Sequence, residues 1–380
     1  MNKKLLIIPI ISALCASLIS CGRADDNKSI KIAVMGNADN FNSDYKLGIE
    51  QAIEDLNSEY ADTAFSFEYE LYDDKNSYET GAVIIDRLSS DDSVTAVVAP
   101  NITELNRLAA YVFDENNKLF LIPYILNDSA YSGNFYNTVF SLTYSNTKIG
   151  RIMRGAAAKT PAKRWAACID NSELSMSELH GFINSNSDDN IKLADCVSFE
   201  SIEGSIEEKF RMWDTLGVEG IMLLSADERF DDFKIIKKRF PDAQFILNSS
   251  FDKSEIILKD AELMSLLNNV IQTAEFTGYP HDDKAEKEFK TAKEMFEKKH
   301  GKAFDLWYLH AYNMIRMIGD TAVRIDSTDP ECIAKALHSD GYDGICESYE
   351  FNESGERTDY RTEYAIYADN GRCYMMSLDE

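Results

Sequence analysis

From residue 30 onward the chain alternates short apolar runs with amphipathic stretches many times over, and this rhythm constrains its fold more than any single motif. Residues 30–35 read as a buried strand, and Ile49, Ile53, Leu56 and Tyr60 form one stripe of the helix that follows. Phe65, Phe67, Tyr69 and Leu71 alternate with Ser66, Glu68 and Glu70, which predicts a half-exposed strand near a sheet edge. A helix over 80–88, a buried strand over 94–99, a helix marked by Leu105, Leu108, Ala109 and Val112, and a strand over 119–122 complete a first series. The alternation restarts after Thr143, with strands over 165–169, 193–199, 220–224 and 244–247 and helices over 148–158, 207–216 and 231–239. Short strands separated by amphipathic helices imply βαβ units and a parallel sheet covered on both faces. Two series imply two lobes, so the predicted class is α/β with two Rossmann-like lobes.

The tail departs from this rhythm. Residues 283–300 read as a charged helix stopped at Gly301, and 306–324 as an aromatic-rich helix with Trp307, Ala311, Ile315, Ile318 and Ala322 inward. A short helix runs from Pro330 to His338. Turn signals at 352–355 and 369–371 predict a closing antiparallel hairpin.

The first residues carry an export signal. Lys3 and Lys4 precede an apolar run over 5–18, and small Ser20 precedes Cys21, the arrangement of a bacterial lipoprotein signal. The expectation is a signal peptide over 1–21, a lipidated Cys21 and a polar tether over 22–29, holding the body on the outer side of a membrane in the cell envelope. Of 39 basic side chains, removal of Lys3 and Lys4 leaves 37 against 65 acidic ones, a net charge of −28. Such a field repels phosphate backbones and anionic headgroups, which argues against a nucleic-acid partner or a basic membrane-surface patch. Beyond Cys21 stand Cys168, Cys196, Cys332, Cys346 and Cys373. Their number is odd and no Cys-x-x-Cys pair exists, so no zinc site is expected. Cys168 and Cys196 lie in strand-like runs and read as buried thiols, and Cys346 with Cys332 or Cys373 is a conceivable bridge.

Signatures of chemistry are missing. The chain has no Gly-x-Ser-x-Gly elbow, no Walker A loop and no Gly-x-Gly-x-x-Gly fingerprint. His180, His281, His300, His310 and His338 are scattered, none paired at i, i+4 as a metal site on one helix face needs. His310 sits among aromatics and reads as a packing residue, the others as solvent-facing. The run from Asp39 to Asp44 lacks the turn glycine and distal Glu of a calcium loop and reads as a polar strand-to-helix turn. Neither enzyme activity, metal nor cofactor is expected. What remains is a set of polar loops at strand ends, where open α/β sheets place ligands. In the first series these contain Asn37, then Asn101, Ile102 and Thr103, then Tyr124 and Asn127. In the second they contain Asn171 and Glu173, then Ser225 and Asp227, then Ser250. Thr103 opens a helix whose free N–H groups suit an anion. Tyr144, beside the junction of the two series, completes the candidate ligand set.

Several segments in order resemble the type I periplasmic-binding-protein family, in its branched-chain amino acid branch that serves ABC importers. They are residues 30–36, the helix Gly48-x-x-x-Ala52-x-x-x-Leu56-Asn57, Tyr72-Asp73-Asp74, residues 94–100, residues 296–301, Leu309-His310-Ala311-Tyr312, Gly341-Tyr342-Asp343-Gly344 and residues 349–355. The resemblance implies two lobes with parallel sheets joined by a three-crossing hinge near Thr143, Phe276 and Cys346. Lobe one would hold 30–142 and 277–345, and lobe two 143–276 and 346–380. Ligand would sit between the lobes and favour their closed arrangement. The chain also departs from its likeness. The loop from Asn37 to Leu47 is short and lacks glycine, Tyr124-Ile125-Leu126 lacks the hydroxyls that grip an amino acid, and Leu174 stands where an aromatic is usual. These departures point away from a standard α-amino acid, with Asp227 or Glu173 left to meet a cation. The resemblance thus implies a lipid-anchored binder of a small polar molecule, partnered by an ABC permease or a sensor. The alternative is an envelope lipoprotein using the same fold as a protein-binding module, such as an activator of a cell-wall synthase.

Overall fold

The computed structural model describes residues 28–37, 43–99, 103–123, 135–185, 190–251, 254–257, 259–273, 283–358, 364–369 and 372–377. The export signal, Cys21 and most of the tether lie outside them. Among the described residues no helix is long and apolar enough to cross a membrane.

The first series builds β1 (Lys28–Gly36), α1 (Ser43–Glu59), β2 (Phe65–Asp73), α2 (Tyr78–Ser89), β3 (Ala96–Val98), α3 (Thr103–Glu115), β4 (Leu119–Ile122) and β5 (Val139–Ser141). Its five strands are parallel, in the order β2-β1-β3-β4-β5. Period-two alternation sends the two faces of β1 into different cores. Ile30, Ile32 and Val34 join one cluster with α1, and Ala33 and Met35 join another with Ile85 of α2 and Leu105 and Phe113 of α3. β2 is the edge strand, as its alternation predicts, with Phe65 and Phe67 inward and Glu68 and Glu70 exposed.

The second series gives α4 (Asn146–Ala158), β6 (Arg164–Ile169), α5 (Glu173–Ile183), β7 (Lys192–Ser198), α6 (Phe199–Leu216), β8 (Gly220–Leu224), α7 (Phe230–Arg239), β9 (Gln244–Leu247), α8 (Ser254–Ile257), α9 (Ala261–Leu266) and β10 (Val270–Thr273). Its parallel strands take the order β7-β6-β8-β9-β10, the same winding as the first sheet. β5, β10, α5, α8 and α9 were not read from the pattern; β5 and β10 are three and four residues long, and α8 and α9 four and six. α6 begins at Phe199 rather than at 207, because residues 200–205 carry a single apolar side chain, Ile202, and show no stripe.

The tail forms α10 (Asp283–His300), α11 (Leu306–Arg324), α12 (Pro330–Asp340), β11 (Tyr342–Asp343), β12 (Ser348–Tyr349), β13 (Tyr364–Asp369) and β14 (Arg372–Ser377). α11 and α12 cover the first sheet through Ala311, Met314, Ile315, Ile318, Ile333 and Leu337. β13 and β14 form the expected hairpin, and β13 pairs antiparallel with β10. Tyr349 and Phe351 belong to the first core, and Gly355, at φ 75°, lies so close to the Val139 carbonyl that a Cβ there would overlap it. Among the described residues, Tyr349, Phe351 and Gly355 lie with the first sheet, and β13, from Tyr364, in the second. The crossing near Phe276 falls outside the described residues.

Side chains correct three smaller expectations. Cys196 is exposed, since β7 is the edge strand and is only partly covered. Cys168, Cys196, Cys332 and Cys346 are all free thiols, so no bridge joins Cys346 to Cys332. His338 is not solvent-facing: its ring lies 4.7 Å from Phe140 and its nitrogens contact the Asn352 and Asn137 carbonyls at 3.0 and 3.2 Å.

A buried charged network ties the tail to the junction of the two series. The Arg357 guanidinium donates to the carbonyls of Leu142 and Ser348, both at 2.9 Å, and covers the rings of Tyr349 and Tyr144 at 4.4 and 5.2 Å. Its carboxylate partner is Glu347, 3.6 Å away, which also accepts from the Tyr349 hydroxyl and faces His310 Nδ1 at 3.9 Å. His310 Nε2 donates to the Pro123 carbonyl at 2.9 Å, because a carbonyl can only accept. Burial opposes the Glu347 charge, yet Arg357, His310 and Tyr349 hold its carboxyl down at about 2.

A folded-state value below the ordinary one means stability that is present above the usual carboxylate range and is lost as pH falls through about 2. Removing one partner leaves the other buried and uncompensated. Glu347→Gln is expected to cost about 3–5 kcal/mol in urea unfolding near neutral pH. The double change Glu347→Leu with Arg357→Met should cost less than that single one.

Candidate functional site

In a doubly wound sheet of this strand order, the crevice opens where the winding reverses, between the first and third strands of the series. Here those places lie beyond the carboxyl ends of β1 and β3 in one sheet and of β6 and β8 in the other. Asn37 follows β1 and is half-buried, and Thr103 opens α3 after β3. Asn101, Ile102, Tyr124 and Asn127 lie outside the described residues.

Asp170 organises the second crevice. One oxygen of its carboxylate accepts from the Ser172 amide at 3.0 Å, the Ser175 hydroxyl at 2.6 Å and the Ser172 hydroxyl. The other accepts from the Ser225 hydroxyl at 3.0 Å and the Ala226 amide at 2.6 Å. Partial burial works against the charge, but these donors lower the carboxyl to about 2. The end of β6, the start of α5 and the loop after β8 are thereby clamped to one group. Ser225 spends its hydroxyl on this clamp and accepts from the Asp227 amide at 3.2 Å. Behind it, buried Asn248 donates to Glu178 and to the Ser225 carbonyl, both at 2.9 Å, and accepts from Ser250 at 2.7 Å.

The remaining candidates divide by exposure. Asn171, Glu173 and Asp227 are exposed at the crevice. Tyr144 is buried beside Arg357, with the Lys148 ammonium 5.7 Å from its ring. It lies at the foot of the passage between the sheets.

Two features escaped the sequence. The first is an ion pair between sheets: Arg107 on α3 reaches Glu173 on α5 at 3.6 Å. Each helix leaves a strand that borders its crevice, so the pair shows the two crevices facing one another. Arg107 sits on the exposed side of an amphipathic stripe and reads in sequence only as a solvated charge. The second is a group of buried acceptors at the same ends of the sheets. Asp74 Oδ2 after β2, Asn106 Oδ1 early in α3, Thr143 Oγ1 in the passage and Asn146 Oδ1 at the start of α4 have no hydrogen-bond partner. All four residues are nine-tenths or more buried. Burial raises the Asp74 carboxyl, with the Asn76 amide pulling the other way. An unmet buried polar atom costs ~1–3 kcal/mol and is ordinarily satisfied by water or a ligand donor. Among the described residues no cluster of three or more His, Cys, Asp or Glu could hold a metal ion.

Residues 32–178 match the family model described as periplasmic binding protein. No curated protein matches the chain. Among solved structures it is similar to an ABC transporter substrate-binding protein from Desulfitobacterium hafniense in complex with Leu, at 17% identity and a TM-score of 0.76, covering 92% of this chain and 100% of that one. It is also similar to the branched-chain amino acid transporter substrate-binding protein LivJ from Streptococcus pneumoniae in complex with isoleucine, at 15% identity and a TM-score of 0.66, covering 92% and 100%. A third is an ABC transporter solute-binding protein from R. palustris in complex with benzoate, at 9% identity and a TM-score of 0.67, covering 92% and 96%. The resemblance read from sequence holds, and the fold is that of the type I periplasmic binding proteins.

Two outcomes test the site's architecture. Exposed ion pairs contribute under ~1 kcal/mol, so Arg107→Glu is expected to shift the lobes toward separation by a few-fold in population, read by small-angle scattering or a label on each lobe. The exchanged pair Arg107→Glu with Glu173→Arg should restore the parent distance, and added salt should mimic the single change. Asp170→Asn should lower the urea midpoint near neutral pH, and the gap from the parent should close as pH falls from the usual carboxylate range through about 2.

Proposed function

We propose that this chain, with its periplasmic-binding fold, is an extracytoplasmic solute-binding protein that closes two lobes on a small polar organic molecule for an ABC importer or a sensor. The observation that carries this reading is the Arg107–Glu173 contact at 3.6 Å between two crevices of identical winding. A ligand held between them would favour closure by its higher affinity for the closed arrangement. Sheet membership supports a first lobe of residues 30–142 with 277–358 and a second of 143–276 with 359–380. The N-terminal pattern through Cys21 supports a lipid anchor that leaves both lobes outside the membrane.

The character of the walls bears on the ligand. Asn106 and Asn146 hold buried amide oxygens, Thr143 a buried hydroxyl that can accept or donate, Asp227 is an exposed carboxylate, and Ser225 and Ser250 have spent their hydroxyls within the protein. A cleft with this balance favours a molecule rich in N–H or O–H donors over one that presents carboxylate oxygens. Amino acids supply donors through their ammonium, as do amides, nucleosides and sugars. Glu173 is engaged by Arg107, so Asp227 is the better placed partner for a cation.

A thermal-shift screen against those four classes tests the reading. At a concentration 100 times its Kd a ligand stabilises the native state by ~2.7 kcal/mol, a rise of several degrees. One class should produce that rise, and Asn146→Ala should weaken it at least tenfold if the acceptor meets the ligand. Silence across all four would overturn ligand binding and favour the protein-binding module.

A further inference from the structure

Away from both crevices, a cavity of ≈400 Å³ opens on the flank of the first lobe between α1, α10 and α11. This volume lies within the range of small-molecule sites, ~300–1,000 Å³. Its walls are largely aromatic and aliphatic, with Gln51, Asp55, Lys298 and Lys299 also lining it. Phe296 and Tyr308 pack at 4.6 Å with an interplanar angle of 60°, and Tyr308 and Tyr312 stack at 6.3 Å and 22°. Met295 is exposed at its rim. The frame is rigid, because α1 crosses α11 at Gly48 so closely that a Cβ there would overlap the Tyr308 carbonyl.

One carboxylate lies in this apolar setting. Asp55 accepts from Gln51 Nε2 at 2.8 Å on one oxygen and from the Tyr312 hydroxyl at 3.0 Å on the other. A carboxylate offers about four acceptor sites, so it is oriented by these two bonds and still able to accept more. Of the neighbouring cations, Lys299 and Arg316 are engaged by other groups. Lys299 donates to Gln51 Oε1 at 2.6 Å and Glu54 at 2.7 Å, and Arg316 pairs with Glu59 at 2.8 Å and Asp320 at 3.0 Å. Lys298 lines the cavity but is exposed. Burial first, then Asp55 and Glu54, push the Tyr308 hydroxyl up to about 12, and burial with Asp55 raises Tyr312 as well.

Aromatic faces attract cations through their quadrupoles, and a fixed carboxylate adds direction. We propose that this cavity is a second ligand site, taking an organic ammonium with an aryl or branched alkyl body, its N–H groups on Asp55 and its body against Phe296, Tyr308 and Met295. It stands apart from the cleft and does not depend on the function proposed for it.

The test uses three probes of one size and different charge: phenethylamine, 2-phenylethanol and phenylacetate. They are titrated into the full-length chain carrying methyl-¹³C methionine, with the Met295 signal assigned through Met295→Leu. Phenethylamine should shift that signal saturably, and the neutral and anionic probes should bind at least tenfold more weakly. Asp55→Asn should weaken the amine at least tenfold. Ala292→Trp, which fills the cavity and leaves Asp55 intact, should abolish the shift and guards against misfolding of the first variant. No saturable shift, equal response to all three probes, or an amine response unchanged in both variants would each overturn the proposal.

Discussion

A strand in a parallel sheet cannot return to its neighbour through a tight turn; it must cross over the sheet, here by way of a helix. That constraint shapes this molecule at every scale. It covers both faces of each sheet with helices, which is why β1 feeds two separate cores from its alternate residues. It also brings the carboxyl ends of each sheet's parallel strands to one edge, so the polar loops converge although they are far apart in sequence. Two sheets of the same winding then present two such edges, and Arg107 and Glu173 meet between them.

Magnitudes separate what holds the fold from what sets its closure. The Glu347–Arg357 pair is buried, stacked between tyrosines and hydrogen-bonded to carbonyls of the passage, so breaking it leaves a charge without water or partner. The Arg107–Glu173 pair is about half exposed, with side chains 51% and 45% accessible, and its contribution is small and screened by salt. The strong interaction sits where the chain passes between lobes, and the weak one sits at the mouth of the cleft. On the proposed function, this arrangement would let a ligand held between the lobes decide the balance.

How far the sequence reveals this depends on the kind of information. Central strands were visible as apolar runs and the edge strand β2 by its alternation, and the loops because polar turns interrupt those patterns. β5, β10 and the helices α5, α8 and α9 were not visible, nor was the early start of α6, whose first turns carry almost no stripe. Within the loops, residue type did not disclose role. Ser225 and Ser250 have the chemistry of ligand-gripping hydroxyls but direct them to Asp170 and Asn248. Asp170, an ordinary turn former by sequence, is the group on which that whole edge is built.

The sequence by itself determined the α/β alternation, the two series, the edge position of β2, the closing hairpin and the end of each sheet at which a site would form. These depend on local periodicity and on the rule that parallel strands need crossovers, both of which act between near neighbours in the chain. Tertiary structure alone decided that Arg107 faces Glu173, that Glu347 is shared by Arg357, His310 and Tyr349, and that Asp55 accepts from Tyr312. Arg107 and Glu173, His310 and Glu347, and Asp55 and Tyr312 are dozens to hundreds of positions apart. A side chain's charge or hydroxyl carries no record of its partner until folding has set the distance between them.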